Sequence, residues 1–122
     1  MENDKKNIVA DKSYAFALRI IKLYKYLVGE QKEYVLSKQI LRSGTSVGAL
    51  IKESEHAQSK ADFLNKMNIA LKEANETEYW LMLLKDSDYI DEKSYSSIYP
   101  DSVELIKLLA SIVKTSKDRL IR

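Results

Sequence analysis

The sequence predicts an all-α protein, an antiparallel up-down-up-down four-helix bundle. Three observations predict it. There are one proline and three glycines in 122 residues, too few breakers for a chain of strands and tight turns. Four separate stretches repeat apolar residues at steps of three and four. The stretches are joined by short polar connections, which make consecutive helices antiparallel neighbours. The length is that of one domain with its own core.

The first stretch covers about residues 12–28. Phe16, Ile20, Leu23 and Leu27 form one stripe, with Ala17, Ile21, Tyr24 and Val28 beside it. Gly29 is placed to stop the helix. The polar residues 1–11 before it are expected to be a flexible segment outside the bundle of residues 12–122. The second helix is predicted over about 35–56, on Leu36, Ile40, Ser43, Val47 and Leu50 with Ile51 alongside. The third, about 60–87, opens on a capping-box-like pair, Ser59 and Asp62. It carries Phe63, Met67, Ala70, Ala74, Thr77, Leu81 and Leu84 in heptad rhythm. The fourth covers about 91–119, with Ile98, Leu105, Leu109 and Ile112 inward. Pro100 falls inside it and predicts a kink or break near residues 96–100.

The segment "RSGTSVG", residues 42–48, is the one stretch whose composition invites a chemical reading. A phosphate loop needs a preceding strand and a lysine directly after its last glycine. Here the apolar rhythm runs through the segment and Ala49 follows Gly48. Gly44 and Gly48 are therefore helical, one turn apart, and permit close helix packing, with Ala70 and Ala74 of the third helix as natural partners. Hydrolysis by Ser43, Thr45 or Ser46 needs a base. His56, the sole histidine, lies ten residues from Ser46, about 15 Å along one helix. Glu53 and His56 have the Glu-x-x-His spacing of di-iron bundles, but that chemistry takes two such motifs and further glutamates. Glu73, Glu76 and Glu78 lack histidine partners. No catalytic, cofactor or metal site is expected, and the absence of cysteine excludes thiolate chemistry. No apolar run is long enough for a membrane span and no apolar leader core occurs, so a cytoplasmic protein is expected.

Net charge is +2, but it is unevenly spread. Residues 12–52 carry eight Lys/Arg and two acids, residues 53–104 five and twelve, and residues 105–122 five and one. Such asymmetry serves either charge-complementary helix packing or a partner that meets one basic face. Lys12, Arg19, Lys22 and Lys25 share an arc of the first helix; Lys107, Lys114, Lys117 and Arg119 add charge on the fourth. Together they form a candidate nucleic-acid surface, with Tyr14, Tyr26 and Tyr34 near enough to stack on bases. Helix 3 is apolar or aromatic on three sides, more than one bundle buries. Ile69, Glu73, Glu76 and Trp80 form one flank and Leu64, Leu71 and Met82 another. Arg42, Ser46 and Glu53 lie on helix 2 opposite its core stripe. The flank of Ile69, Glu73, Glu76 and Trp80 and the face of Arg42, Ser46 and Glu53 mark a candidate subunit interface.

"QILRSGTSVGALIKES", "SKADFLNKMNIALKEANETEYWLMLL" and "YIDEKSY…ELIKLLASIVKTSK" closely resemble the 23S rRNA intervening-sequence proteins, also called S23 ribosomal proteins, over residues 13–118. The resemblance implies an up-down four-helix bundle, a homopentamer and no enzymatic activity. It also implies kinship with the accessory protein of diversity-generating retroelements, a basic pentameric barrel that binds nucleic acid and a reverse transcriptase. By position, Arg42, Ser46 and Glu53 match the family's helix 2 signature, and Glu73 and Glu76 its helix 3 signature. The chain departs from the family at Leu50, Ile51 and Lys52, where asparagine, isoleucine and alanine are common, and at Pro100.

Overall fold

The structure, a computed structural model, describes residues 2–121, with side chains for residues 6–121. It consists of α1 (Glu2–Gly29), α2 (Leu36–Ser54), α3 (Lys60–Asp86) and α4 (Glu92–Ile121). Neighbours in the bundle follow chain order, and α4 returns to α1 along a more sparsely packed seam. No strand occurs among the described residues. The core runs the length of the bundle on Phe16, Ile20, Ile40, Val47, Met67, Leu81, Leu105 and Leu109, each at most 2% exposed. Burying one such side chain contributes about 1.5–3 kcal/mol. Leu81, Leu105 and Leu109 keep the positions that the apolar rhythm assigns them.

One boundary differs from the sequence-based expectation. α1 begins at Glu2, not near residue 12. Val9 is the reason: it lies two turns before Phe16 on the same stripe and is fully buried. A polar flank with one well-placed valine extends the helix, because one face alone needs to be apolar. At Pro100, where the expectation is a kink or a break, α4 has no break. Proline offers no N–H to the carbonyl one turn back and crowds that turn. Arg19 of α1 binds the same turn. Its guanidinium donates to the Ser97 carbonyl at 2.9 Å, to Ser97 Oγ at 2.7 Å and to Asp101 Oδ2 at 2.7 Å. The carbonyl that Pro100 deprives of an N–H is that of Ser96, one residue before the Arg19 acceptor, so Arg19 ties α1 to this turn without replacing the missing bond.

The connections are built by side chains that cap helix ends. Glu33 is 9% exposed, and its carboxylate accepts from the N–H groups of Val35, Leu36 and Ser37, at 3.2, 3.0 and 2.7 Å. Burial pushes this carboxyl upward, but the three N–H bonds outweigh it and hold Glu33 below the usual carboxylate range. Ser59 Oγ accepts from Asp62 N at 3.0 Å, as expected at the start of α3, while Asp62 Oδ2 accepts from Gln58 N, one residue before the N-cap, at 3.1 Å. α3 ends with Asp88 in the left-handed region, φ 66°. Tyr89 N donates to the Leu84 carbonyl and Asp88 N to the Lys85 carbonyl, the Schellman pattern. Asp91 Oδ1 then accepts from Ser94 N at 2.7 Å and opens α4.

Candidate functional site

"RSGTSVG" is helix throughout, inside α2. Its glycines face α1, not Ala70 and Ala74 of α3 as the spacing predicts. A Cβ on Gly44 would lie 2.8 and 2.9 Å from the two branches of Ile20, so α1 and α2 meet closely there. A Cβ on Gly48 would meet the Ser13 carbonyl at 3.5 Å, an ordinary contact. Ala70 and Ala74 are buried in the common core instead. The mistaken partner is a matter of phase: 40° of rotation about α2 decides between two neighbours, and period alone does not resolve it. All three hydroxyls are engaged. Thr77 Oγ1 lies 2.8 Å from both Ser43 Oγ and the Glu73 carbonyl. The carbonyl only accepts, so Ser43 supplies the proton between the two hydroxyls. Thr45 and Ser46 donate to carbonyls one turn back, of Leu41 and Arg42. His56 lies beyond the end of α2 and is exposed. No cluster of three or more histidine, aspartate or glutamate side chains suited to a metal ion occurs among the described residues.

The basic arc of α1 meets acids once α4 is in place. Arg19 pairs with Asp101 at 2.7 Å and Lys12 with Glu104 at 3.2 Å. Lys22, Lys25, Lys107, Lys114 and Lys117 have no carboxylate within 4 Å among the described residues. These five do not form one continuous strip. α1 and α4 are antiparallel, so from the Arg19–Asp101 pair Lys22 and Lys25 lie about 5–9 Å toward one end of the bundle. Lys107 and Lys117 lie about 9 and 24 Å toward the other. The structure divides the arc into two cationic patches with paired charges between them.

The second candidate surface lies along α2 and α3. Arg42 reaches Glu76 at 2.6 Å and Glu73 at 3.4 Å, and Trp80 Nε1 donates to Glu76 Oε1 at 3.2 Å. Glu53 pairs with Lys66 at 3.7 Å. Ser46 and Ile69 are half-buried on the same side. These residues satisfy one another within one protomer, so they form an ordered, half-exposed face. Part of the apolar surplus of α3 is absorbed: Leu64, Leu71 and Trp80 pack against the core. Tyr79 and Met82 remain 55% and 43% exposed, and Tyr14 and Leu18 of α1 remain 69% and 53% exposed.

Lys93 lines a groove beside the basic arc, yet sequence reasoning passed over it. It lies in the acidic middle of the chain, and only the return of α4 brings it beside Lys22, along one groove with Tyr26. Glu33 was passed over for a similar reason, since it caps α2 from two residues outside the helix. No helix among the described residues is long and apolar enough to cross a membrane.

The bundle has close relatives. The profile of the 23S rRNA-intervening sequence proteins matches residues 5–111. A crystal structure at 1.70 Å from Bacteroides thetaiotaomicron VPI-5482, of a protein with unknown function from the S23 ribosomal protein family, is 66% identical. The match covers 90% of this chain and 98% of that one, with a TM-score of 0.88. No curated protein matches the chain. A family profile spanning most of the sequence, on a bundle that superposes on a family member, makes this chain a member of the 23S rRNA-intervening sequence protein family.

Proposed function

We propose that this protein is a non-catalytic, homo-oligomeric scaffold that binds RNA or DNA weakly through α1 and α4, in the cytoplasm. The observation that carries the reading is the set of large apolar side chains left outside the core. Tyr14 and Leu18 lie one turn apart on the face of α1 opposite Phe16 and Ile20, and Tyr79 and Met82 lie outward on α3. Grouped side chains of this size favour a subunit contact over a solvated face. A ring of five is the stoichiometry that the family resemblance favours, and a reverse transcriptase is the protein partner it brings to mind. The five lysines without carboxylate partners support weak, salt-sensitive attraction to phosphate. Sedimentation equilibrium tests the first part: a mass near five times the 14.1 kDa of one chain is expected, and a mass of one chain overturns it. Binding that does not weaken with added salt, or no binding at low salt, overturns the second.

A second reading, an oligomer that engages proteins alone, is favoured by one observation. Lys12 and Arg19 already have carboxylates, which takes two cations out of the arc. Reversal of the charges at Lys22 and Lys25 separates the two: loss of nucleic-acid retention supports the first reading, and loss of assembly the second.

A further inference from the structure

We infer that the groove between the C-terminal half of α1 and the first turns of α4 receives one unpaired nucleotide of a single-stranded nucleic acid. This rests on the nucleic-acid reading above and gives it a place and a mode. The groove measures about 660 Å³, in the size range of small-ligand sites. It opens along the α1–α4 seam, the more sparsely packed of the four. Its floor is apolar, made by Leu23, Ile90 and Ile98. Lys22 and Lys93 stand on its rim without carboxylate partners among the described residues. Tyr26, 41% exposed, forms a side, and its hydroxyl accepts from the Gln31 amide at 2.7 Å, which holds the ring in place.

The other charged groups of the groove are committed elsewhere. Arg19 is held by Ser97 and Asp101, and the Asp91 carboxylate accepts from the first turn of α4. What remains is an apolar floor, one aromatic ring and two ammonium groups outside any ion pair among the described residues, with the Asp91 charge near Lys93. A nucleotide matches that set: a base presents a π-face to a ring and to aliphatic side chains, while its phosphates meet lysines. The hydroxyls of Ser94 and Ser97 line the same groove, within reach of a base edge. Bases inside a duplex are stacked and paired, so a recess of this kind reads single strands. An acidic peptide would match the lysines and leave the ring and the floor without a partner.

The test measures binding of a labelled eight-nucleotide single strand and of the blunt duplex of the same length at low salt. The full chain is compared with Lys22→Glu/Lys93→Glu, Tyr26→Ala and Lys114→Glu/Lys117→Glu. The two double reversals change net charge equally, so a diffuse field weakens binding equally in both. The groove predicts a loss of about tenfold or more for Lys22→Glu/Lys93→Glu and for Tyr26→Ala, and a smaller loss for the distal pair. It also predicts that the duplex binds more weakly than the single strand. Equal loss from the two double reversals, no effect of Tyr26→Ala, or equal affinity for duplex overturns the groove while salt-sensitive binding still upholds the broader reading. No binding by the unaltered protein overturns both. Saturable binding of adenosine monophosphate with no binding of the oligonucleotide assigns the groove to free nucleotides and overturns the single-strand inference. Displacement of the oligonucleotide by poly-glutamate at matched charge concentration assigns it to acidic peptides, with the same result.

Discussion

Gly44 and Gly48 stand one helical turn apart, yet a methyl group meets different surroundings at each. At Gly44 it would press on both branches of Ile20, which is fully buried and has no room to turn. Overpacking of this kind costs about 1–3 kcal/mol, more than the roughly 1 kcal/mol of helix propensity that alanine adds. At Gly48 the methyl would meet Ser13 at ordinary contact distance, and propensity decides. Gly44→Ala therefore lowers stability by up to about 2 kcal/mol, and Gly48→Ala raises it by about 0.5–1 kcal/mol. Urea midpoints at a fixed protein concentration check both signs, and equal gains at the two positions would remove the close contact from the account. The glycines were legible in the sequence as helical and as packing residues. Their partner was not, because the helix period gives a residue's angle about its own axis and says nothing of which neighbour fills the adjacent quadrant. The same holds for Ser43, whose place on the core stripe was legible but whose hydrogen-bond partner, Thr77 on another helix, was not.

Each helix has a device at its end or along its seam whose loss is measurable. Glu33 is the clearest at an end. Its carboxylate is held below its ordinary pKa by three N–H groups at the start of α2, against the opposing effect of burial. A carboxylate with a lowered folded pKa stabilises the protein fully above its unfolded value, near 4.5, and loses that contribution as pH falls through the lower folded value. Glu33→Gln removes the charge and weakens the cap by about 1–2 kcal/mol at pH 7. The difference between Glu33→Gln and the parent should narrow in thermal melts as pH falls below 4.5, and a pH-independent difference would assign the loss to packing. At the α1–α4 seam, Arg19→Ala leaves the Ser97 carbonyl without its side-chain donor beside Pro100 and costs about 1 kcal/mol. Urea midpoints of Arg19→Ala against the parent check the loss, and an unchanged midpoint would remove this bond from the account of the seam. The sequence made α2, α3 and α4 legible to within two residues, since propensity, caps and period agree there. It missed the first ten residues of α1, where one buried valine outweighs a polar flank, and it left open whether Pro100 breaks α4, which runs on as one helix.

At the scale of the whole molecule, the uneven charge of the chain becomes a set of seams. Cations of the basic first half meet acids of the middle segment across α2–α3, through Arg42 with Glu73 and Glu76, and across α1–α4, through Arg19 with Asp101 and Lys12 with Glu104. Exposed pairs of this kind contribute about 0–1 kcal/mol each, so they set register more than stability. The α1–α2 seam carries no ion pair among the described residues and relies on Gly44 against Ile20. With charge largely balanced within the protomer, a contact between protomers falls to the apolar outer faces. Tyr14 is 69% exposed and Leu18 53%, on a helix whose opposite side is fully committed to the core. Tyr14→Asp/Leu18→Asp places two carboxylates on that face without touching a buried residue, so the helical circular dichroism should persist. In sedimentation the assembly should fall to the 14.1 kDa of one chain at concentrations where the parent is associated. Persistence of the assembly would shift the contact to Tyr79 and Met82 on α3, and the corresponding aspartate pair there should then dissociate it. An assembly that survives both pairs would rule out the apolar faces as its source and leave the ordered Arg42–Glu76–Trp80 face as the surface to reverse next.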